Sequence, residues 1–274
     1  MSLIFYFFIF LLGLTVGSFL NSIIERLSKN ETFLSGRSYC PGCKHILNWQ
    51  DLIPIFSFLI LRGKCRYCSQ KISWQYPLVE LTAGILFVLI MNYELRITNY
   101  ELLNFETILN SLFLILTSCF LIIIFVYDLK HYIIPDKIVY PAIAAALIFN
   151  FEFLISKQFL IFNYLILSAV GSAAFFLFIV LISRGKWMGL GDVKLAFLMG
   201  LFLGWPKILV ALFLAFFIGA IIGLGLIALG KKGLKSEVPF GPFLVSGTFI
   251  ALFWGQEIVR WYISNFQFSI FNFQ

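Results

Sequence analysis

Thr107–Tyr127 reads TILNSLFLILTSCFLIIIFVY, and Asp128 follows it at once. Twenty-one residues without a charge are enough to cross a bilayer as a helix. The carboxylate at the end of the run is costly at a membrane boundary unless it has a partner or a task. A second aspartate occupies the mirror position. Asp192, in Met188-Gly189-Leu190-Gly191-Asp192-Val193-Lys194, stands just ahead of the apolar run Leu195–Pro206.

The rest of the chain agrees with a membrane setting. Of its 274 residues, 61% are hydrophobic and 12% charged, and the mean hydropathy is +0.97. Soluble domains are about half apolar and a quarter charged. The class expected is an all-α polytopic membrane protein. Five stretches qualify readily as spans: Ser2–Ile24, Thr107–Tyr127, Gln158–Ser183, Ile208–Gly230 and Val238–Gln256. Three more carry a proline or charges: Pro77–Tyr93, Lys137–Ser156 and Trp187–Pro206. Together they predict about eight transmembrane helices. The first run has no basic residue before it and no small-residue cleavage site, so it is expected to stay as a span and not to act as a cleaved signal.

Charge sets the orientation. With eight spans, 16 of the 20 Lys and Arg fall on one side, and only Arg96, Lys157, Lys207 and Arg260 on the other. Positive residues collect in the cytosol, so both aspartates and the loop after the first span are expected there. The net charge of +7 is then a property of cytosolic loops, and no nucleic-acid partner is expected. The repeat Asn92-Tyr93-Glu94-Leu95 and Asn99-Tyr100-Glu101-Leu102, like the tail Ile263–Gln274, reads as tolerated loop and terminal sequence.

Loop one, Glu25–Tyr76, holds four of the five cysteines, as Cys40-Pro41-Gly42-Cys43 and Cys65-Arg66-Tyr67-Cys68. Paired C-x2-C turns make a tetrahedral zinc site. Disulfides do not suit a reducing cytosol. Four thiolates leave no open position for water, so the zinc is expected to be structural. Gly42 is expected to permit the first turn, with Gly63 ahead of the second. His45 is a rival ligand, and Cys119, inside an apolar run, reads as packing.

Asp128 leaves the membrane on the cytosolic side and Asp192 enters it there. Two carboxylates a few ångströms apart share one proton. The ionised one can activate water while the protonated one donates to a carbonyl oxygen. The alternative is that each caps its helix or pairs with its neighbouring lysine, Asp128 with Lys130 and Asp192 with Lys194. Gly189 and Gly191 allow close backbone approach before Asp192. Asp136 either caps the next helix or supports the site, and Lys194 stands beside the pair. Glu80 reads as a first-turn residue after Pro77. A proton-coupled transporter and a non-catalytic zinc-ribbon scaffold are the competing classes.

These motifs together resemble the bacterial prepilin peptidase family. The likeness runs from Gly13-Leu14-Thr15-Val16-Gly17-Ser18-Phe19-Leu20-Asn21-Ser22 and Glu25-Arg26-Leu27 through both cysteine pairs and Tyr76-Pro77-Leu78-Val79-Glu80. It continues with Asp128, Ile133-Ile134-Pro135-Asp136 and Gly189-Leu190-Gly191-Asp192-Val193-Lys194-Leu195, and ends at Pro239-Phe240-Gly241-Pro242-Phe243. Trp49-Gln50-Asp51-Leu52-Ile53-Pro54 stands where members often carry Trp-Tyr-Asp-Asn-Ile-Pro. The resemblance implies an inner-membrane aspartic endopeptidase with Asp128 and Asp192 catalytic. Its substrates would be prepilins or pseudopilins of type IV pilus or type II secretion systems, with a basic leader and a hydrophobic helix. Methylation of the new N-terminus would use S-adenosylmethionine, through residues the sequence does not reveal. The expected domains are 10–93 (N-terminal, with the cysteine loop and the methyltransferase part), 107–230 (endopeptidase) and 231–274 (C-terminal helix and tail).

Overall fold

The computed structural model describes residues 3–29, 31–32, 36–97, 105–155, 159–231, 233 and 236–266. Lys157, Lys232, Lys235, the second Asn-Tyr-Glu-Leu copy and the tail from 267 onward lie outside them. The described residues are helical and hold no β-strand: α1 (Leu3–Ser28), α2 (Phe56–Ile60), α3 (Gln75–Ile97), α4 (Phe105–His131), α5 (Asp136–Ile155), α6 (Phe159–Ser183), α7 (Leu190–Leu203), α8 (Lys207–Ala228) and α9 (Gly241–Phe266). A single 3₁₀ turn covers Trp49–Leu52. The chain forms two compact units, Met1–Ile123 and Ile124–Gln274.

The first unit is built on α1 and α3, which run antiparallel. Their register is fixed by close backbone approach. A Cβ on Gly13 would meet the Gly84 Cα at 2.7 Å, and one on Gly17 would meet the Glu80 Cα at 2.7 Å. One turn further on, Asn21 Nδ2 donates to the Tyr76 carbonyl at 3.0 Å. Gly13-x3-Gly17 is thus a small-residue stripe of the kind that lets membrane helices touch backbone to backbone. The sequence shows it only as part of a longer motif.

The second unit is organised around α7. Leu195, Ala196 and Leu198–Leu203 are all buried, and α5, α6, α8 and α9 all pack on this helix. Ser172 on α6 donates to the Ala196 carbonyl at 2.8 Å, and Asn150 on α5 to the Leu201 carbonyl at 3.0 Å. Gly200 lies directly on the Ala169 backbone, where no Cβ would fit. A helix that is apolar all round is one covered all round. The lipid-facing surface falls to helices such as α8, where Leu209, Phe213, Phe217, Ile221 and Leu224 are exposed.

Six described helices are long and apolar enough to cross a membrane: α1, α3, α4, α6, α8 and α9. The marginal segments Lys137–Ser156 and Trp187–Pro206 become α5 and α7, which are not among them. Fourteen residues give α7 a length of about 21 Å, short of the ~30 Å hydrocarbon core. Its apolar run reflects burial in protein, and hydropathy alone cannot tell the two apart.

Candidate active site and cysteine centre

Asp128 sits in the last turn of α4 and is 4% exposed. The apolar run that precedes it carries the helix on to His131, so the carboxylate is inside the helix and not beyond it. Its Oδ2 accepts the Gly241 N–H at 3.0 Å. Gly241 opens α9, and a Cβ there would lie 2.6 Å from the same oxygen. Only glycine lets the first amide of α9 reach the carboxylate.

Asp192 is in the first turn of α7 and accepts the Gly189 N–H at 3.3 Å. Asp192 lies near enough to Asp128 for the two carboxylates to repel each other. The two aspartates therefore share one electrostatic neighbourhood. Of the two simpler roles, capping is realised at Asp192 through Gly189. Pairing is not, because Lys194 turns to Asp136 instead, Nζ to Oδ1 at 2.6 Å. The Lys194 ammonium also lies over the Tyr140 ring, 4.9 Å from its centre.

The supporting residues take specific places. Gly191 packs on Ile134, with only 3.0 Å between its missing Cβ and the Ile134 Cβ, so the Ile133-Ile134-Pro135 turn abuts the start of α7. Asp136 is the first residue of α5, with its side chain 58% exposed. Gly189 is the residue before α7, in extended backbone.

In the first unit, the Sγ atoms of Cys40, Cys43, Cys65 and Cys68 all lie within 4.8 Å of one another. Cys40 and Cys68 are 3.8 Å apart. A tetrahedral zinc with ~2.3 Å Zn–S bonds needs sulfurs about 3.8 Å apart, so the four thiolates fit such an ion.

Each pair is held by the same turn. Cys40 N–H donates to the His45 carbonyl at 2.9 Å and Lys44 N–H to the Cys40 carbonyl at 2.8 Å. At the second pair Cys65 N–H donates to the Gln70 carbonyl at 2.8 Å and Ser69 N–H to the Cys65 carbonyl at 2.9 Å. Bridges Tyr39–Ile46 and Lys64–Lys71 close the two turns.

The left-handed residues are Lys44 (φ 56°) and Ser69 (φ 58°). Gly42, expected to permit the turn, instead leaves space for the Gln70 side chain. His45 is not in the cluster. Its ring packs at a tilt against Tyr67, 3.7 Å between centres, and joins one turn to the other. Asp51 ties the intervening segment down by accepting from Arg66 Nε at 2.8 Å, Tyr67 Oη at 3.1 Å and the Asn48 N–H at 3.2 Å.

Comparison with known proteins identifies both halves. Residues 11–93 match the bacterial peptidase A24 N-terminal domain, and residues 115–224 match the type IV leader peptidase family. A relative from Aeromonas hydrophila, called prepilin leader peptidase/N-methyltransferase, is 31% identical across 94% of this chain and 93% of its own. Relatives of the same name are 33% identical in Legionella pneumophila, over 92% of both chains, and 30% identical in Bacillus subtilis, over 93% of this chain and 96% of the other. The chain belongs to the type IV leader peptidase family. No solved structure matches it significantly.

Within this leader peptidase, three contributions escaped sequence reasoning. Gly241 supplies a backbone donor to Asp128 across 113 residues of chain. Ile134 packs on Gly191, and Tyr140 lies under Lys194. A glycine between Phe240 and Pro242 at a helix start was the visible sign of the first. Ile134 showed only as part of the Ile133-Ile134-Pro135-Asp136 motif, and Tyr140 left no signal of its own.

Proposed function

We propose that this protein is a multi-pass aspartic endopeptidase of the bacterial inner membrane that removes the basic leader of prepilin-like proteins and then methylates the new N-terminus. The observation that carries the reading is the Asp128–Asp192 pair, coupled by charge, within a chain whose full-length relatives carry that double name. Asp128, held by the Gly241 N–H, is the carboxylate that takes a proton from water. Asp192, beside it at the start of α7, keeps the shared proton and gives it to the scissile carbonyl oxygen. Gly189, Gly191, Lys194 and Asp136 position the start of α7 and the acidic approach to it.

The substrate class follows from the surroundings. A prepilin or pseudopilin has a basic leader and an apolar helix. The helix would lie in lipid among the spans, with the leader in the cytosol near acidic groups such as Asp136 or anionic headgroups. The 16-to-4 division of Lys and Arg supports eight crossings with the site facing the cytosol, α7 completing its crossing inside protein where lipid thickness sets no length. The four cysteines would hold structural zinc. The domain division expected from sequence, with the methyltransferase part in 10–93 and the endopeptidase in 107–230, is retained within this reading. The methyl donor is S-adenosylmethionine.

The test is incubation of the purified, vesicle-embedded enzyme with candidate prepilins, reading the new N-terminus and its mass. A trimmed and methylated product is expected. Intact prepilins in every case would refute the reading.

A further inference from the structure

Glu80 is a carboxylate that neither the aspartate pair nor the cysteine cluster uses. It lies in the second turn of α3, 6% exposed, inside a helix apolar enough to span. It stands at one of the two closest approaches of α3 to α1, on the room that Gly17 leaves. Its Oε2 accepts the Ile55 N–H at 2.8 Å, and the Ser18 hydroxyl bonds to it as well. Ile55 makes its contribution from left-handed backbone, φ 61°, a costly conformation for a β-branched residue.

The polarity continues toward the start of α3. Asn21, 1% exposed, donates to the Tyr76 carbonyl and accepts from Gln75 Nε2 at 3.2 Å. Gln75 Oε1 is buried without a partner. Ser18, Asn21, Gln75 and Glu80 therefore line one end of an otherwise apolar helix crossing.

Both donors to Glu80 are neutral, and among the described residues no ion pair reaches it. A buried carboxylate answered only by neutral donors is costly. Unmatched charge, an unfilled acceptor and backbone strain at one place mark a site built for something that arrives.

We propose that Glu80, with Ser18, Asn21 and Gln75, forms the seat of a primary ammonium group, the α-ammonium of the cleaved prepilin awaiting methylation. The inference rests on the methyl-transfer half of the proposed function. An acceptor for N-methylation is an amine, and an α-amine is largely protonated near neutral pH. This one heads an apolar helix, so it has to be received at the membrane boundary, which is where α3 begins. An ammonium offers three donors, and Glu80 and the Gln75 Oε1 are acceptors waiting for them. The sulfonium of the methyl donor is also a cation, but it is carried on a polar nucleoside with no reason to sit inside a helix hairpin.

The test starts with the unmodified enzyme in nanodiscs. A hydrophobic peptide with a free α-amine is coupled by a water-soluble carbodiimide, with its N-acetylated twin as control. Tandem mass spectrometry should find an amide joining the peptide N-terminus to Glu80, absent with the twin. Coupling confined to other carboxylates overturns the proposal.

Glu80→Gln then separates charge from structure, because its amide oxygen still accepts the Ile55 N–H. Its metal content should match wild type, showing a folded loop. Its preference for the free amine over the acetylated peptide should fall by about tenfold or more. A preference that survives overturns the proposal. So does a variant that keeps the preference but loses S-adenosylmethionine binding, since the seat would then belong to the donor. A wild-type enzyme that trims prepilins but methylates none would instead break the underlying reading of function.

Discussion

The cysteine loop and the aspartate site reach their geometry by opposite routes. In the loop, each cysteine pair is shaped by hydrogen bonds within six residues, and the same turn is used twice. At the aspartates almost nothing is local. Asp128 needs the first amide of α9, and Asp192 needs the start of α7 wedged against Ile134. A metal site can be assembled from short turns because the ion supplies the attraction. A carboxylate pair repels itself, so the fold has to force it together. Perturbing one region should therefore be a local event, and perturbing the other a global one.

The largest expected effect tests the pair directly. Asp128→Asn and Asp192→Asn should each lower leader cleavage by at least ~10²–10⁴-fold while the protein still inserts. An amide keeps the size but cannot shuttle the proton. Product analysis on inserted variants measures it, and substantial cleavage by either would end the two-aspartate mechanism.

At the other region, the double variant Cys40→Ser/Cys65→Ser should lose its tightly bound zinc altogether, read by elemental analysis. Its leader cleavage should persist, because the aspartates belong to a unit with its own core. Metal content unchanged in the double variant would rule the site out.

Gly241→Ala sharpens the contrast with a single methyl group. The new Cβ would lie 2.6 Å from Asp128 Oδ2, so either the start of α9 or the carboxylate has to move. Overpacking of this kind costs ~1–3 kcal/mol. Cleavage should drop with metal content untouched, whereas wild-type activity would show that the Gly241 contact does not matter to the pair.

The smallest concerns Asp136, which is exposed and paired with Lys194. Asp136→Asn should raise KM for a basic leader up to about fivefold, the scale of an exposed ion pair, with kcat nearly kept. A collapse of kcat would instead place Asp136 in the chemistry.

Much of this was legible in the chain, and unevenly. The helices α1, α4, α6, α8 and α9 followed from uninterrupted apolar runs, and the cysteine cluster from spacing alone, since a C-x2-C turn is complete within a few residues. α7 was the hardest helix to read, because composition reports only the absence of water. Leu195–Leu203 avoids water by sitting among four helices, and a lipid-facing helix would read the same. Gly42 misled, since a glycine in a turn suggests φ > 0 when its actual service is room for Gln70. The Asp128–Gly241 contact was illegible because a backbone amide has no letter of its own. Only the glycine that admits it does.

The twofold use of one turn in the cysteine loop has a further consequence for how this region can change. Each turn closes on its own hydrogen bonds, so the stretch between Ile46 and Lys64 is under no length requirement from the metal. What restrains it is two grips, Asp51 on Arg66 and Tyr67 and the Ile55 amide on Glu80. Insertions away from these two points should be absorbed as slack, and a shift of the Ile55 grip would re-aim the segment beyond Asp51 while leaving both clasps shut.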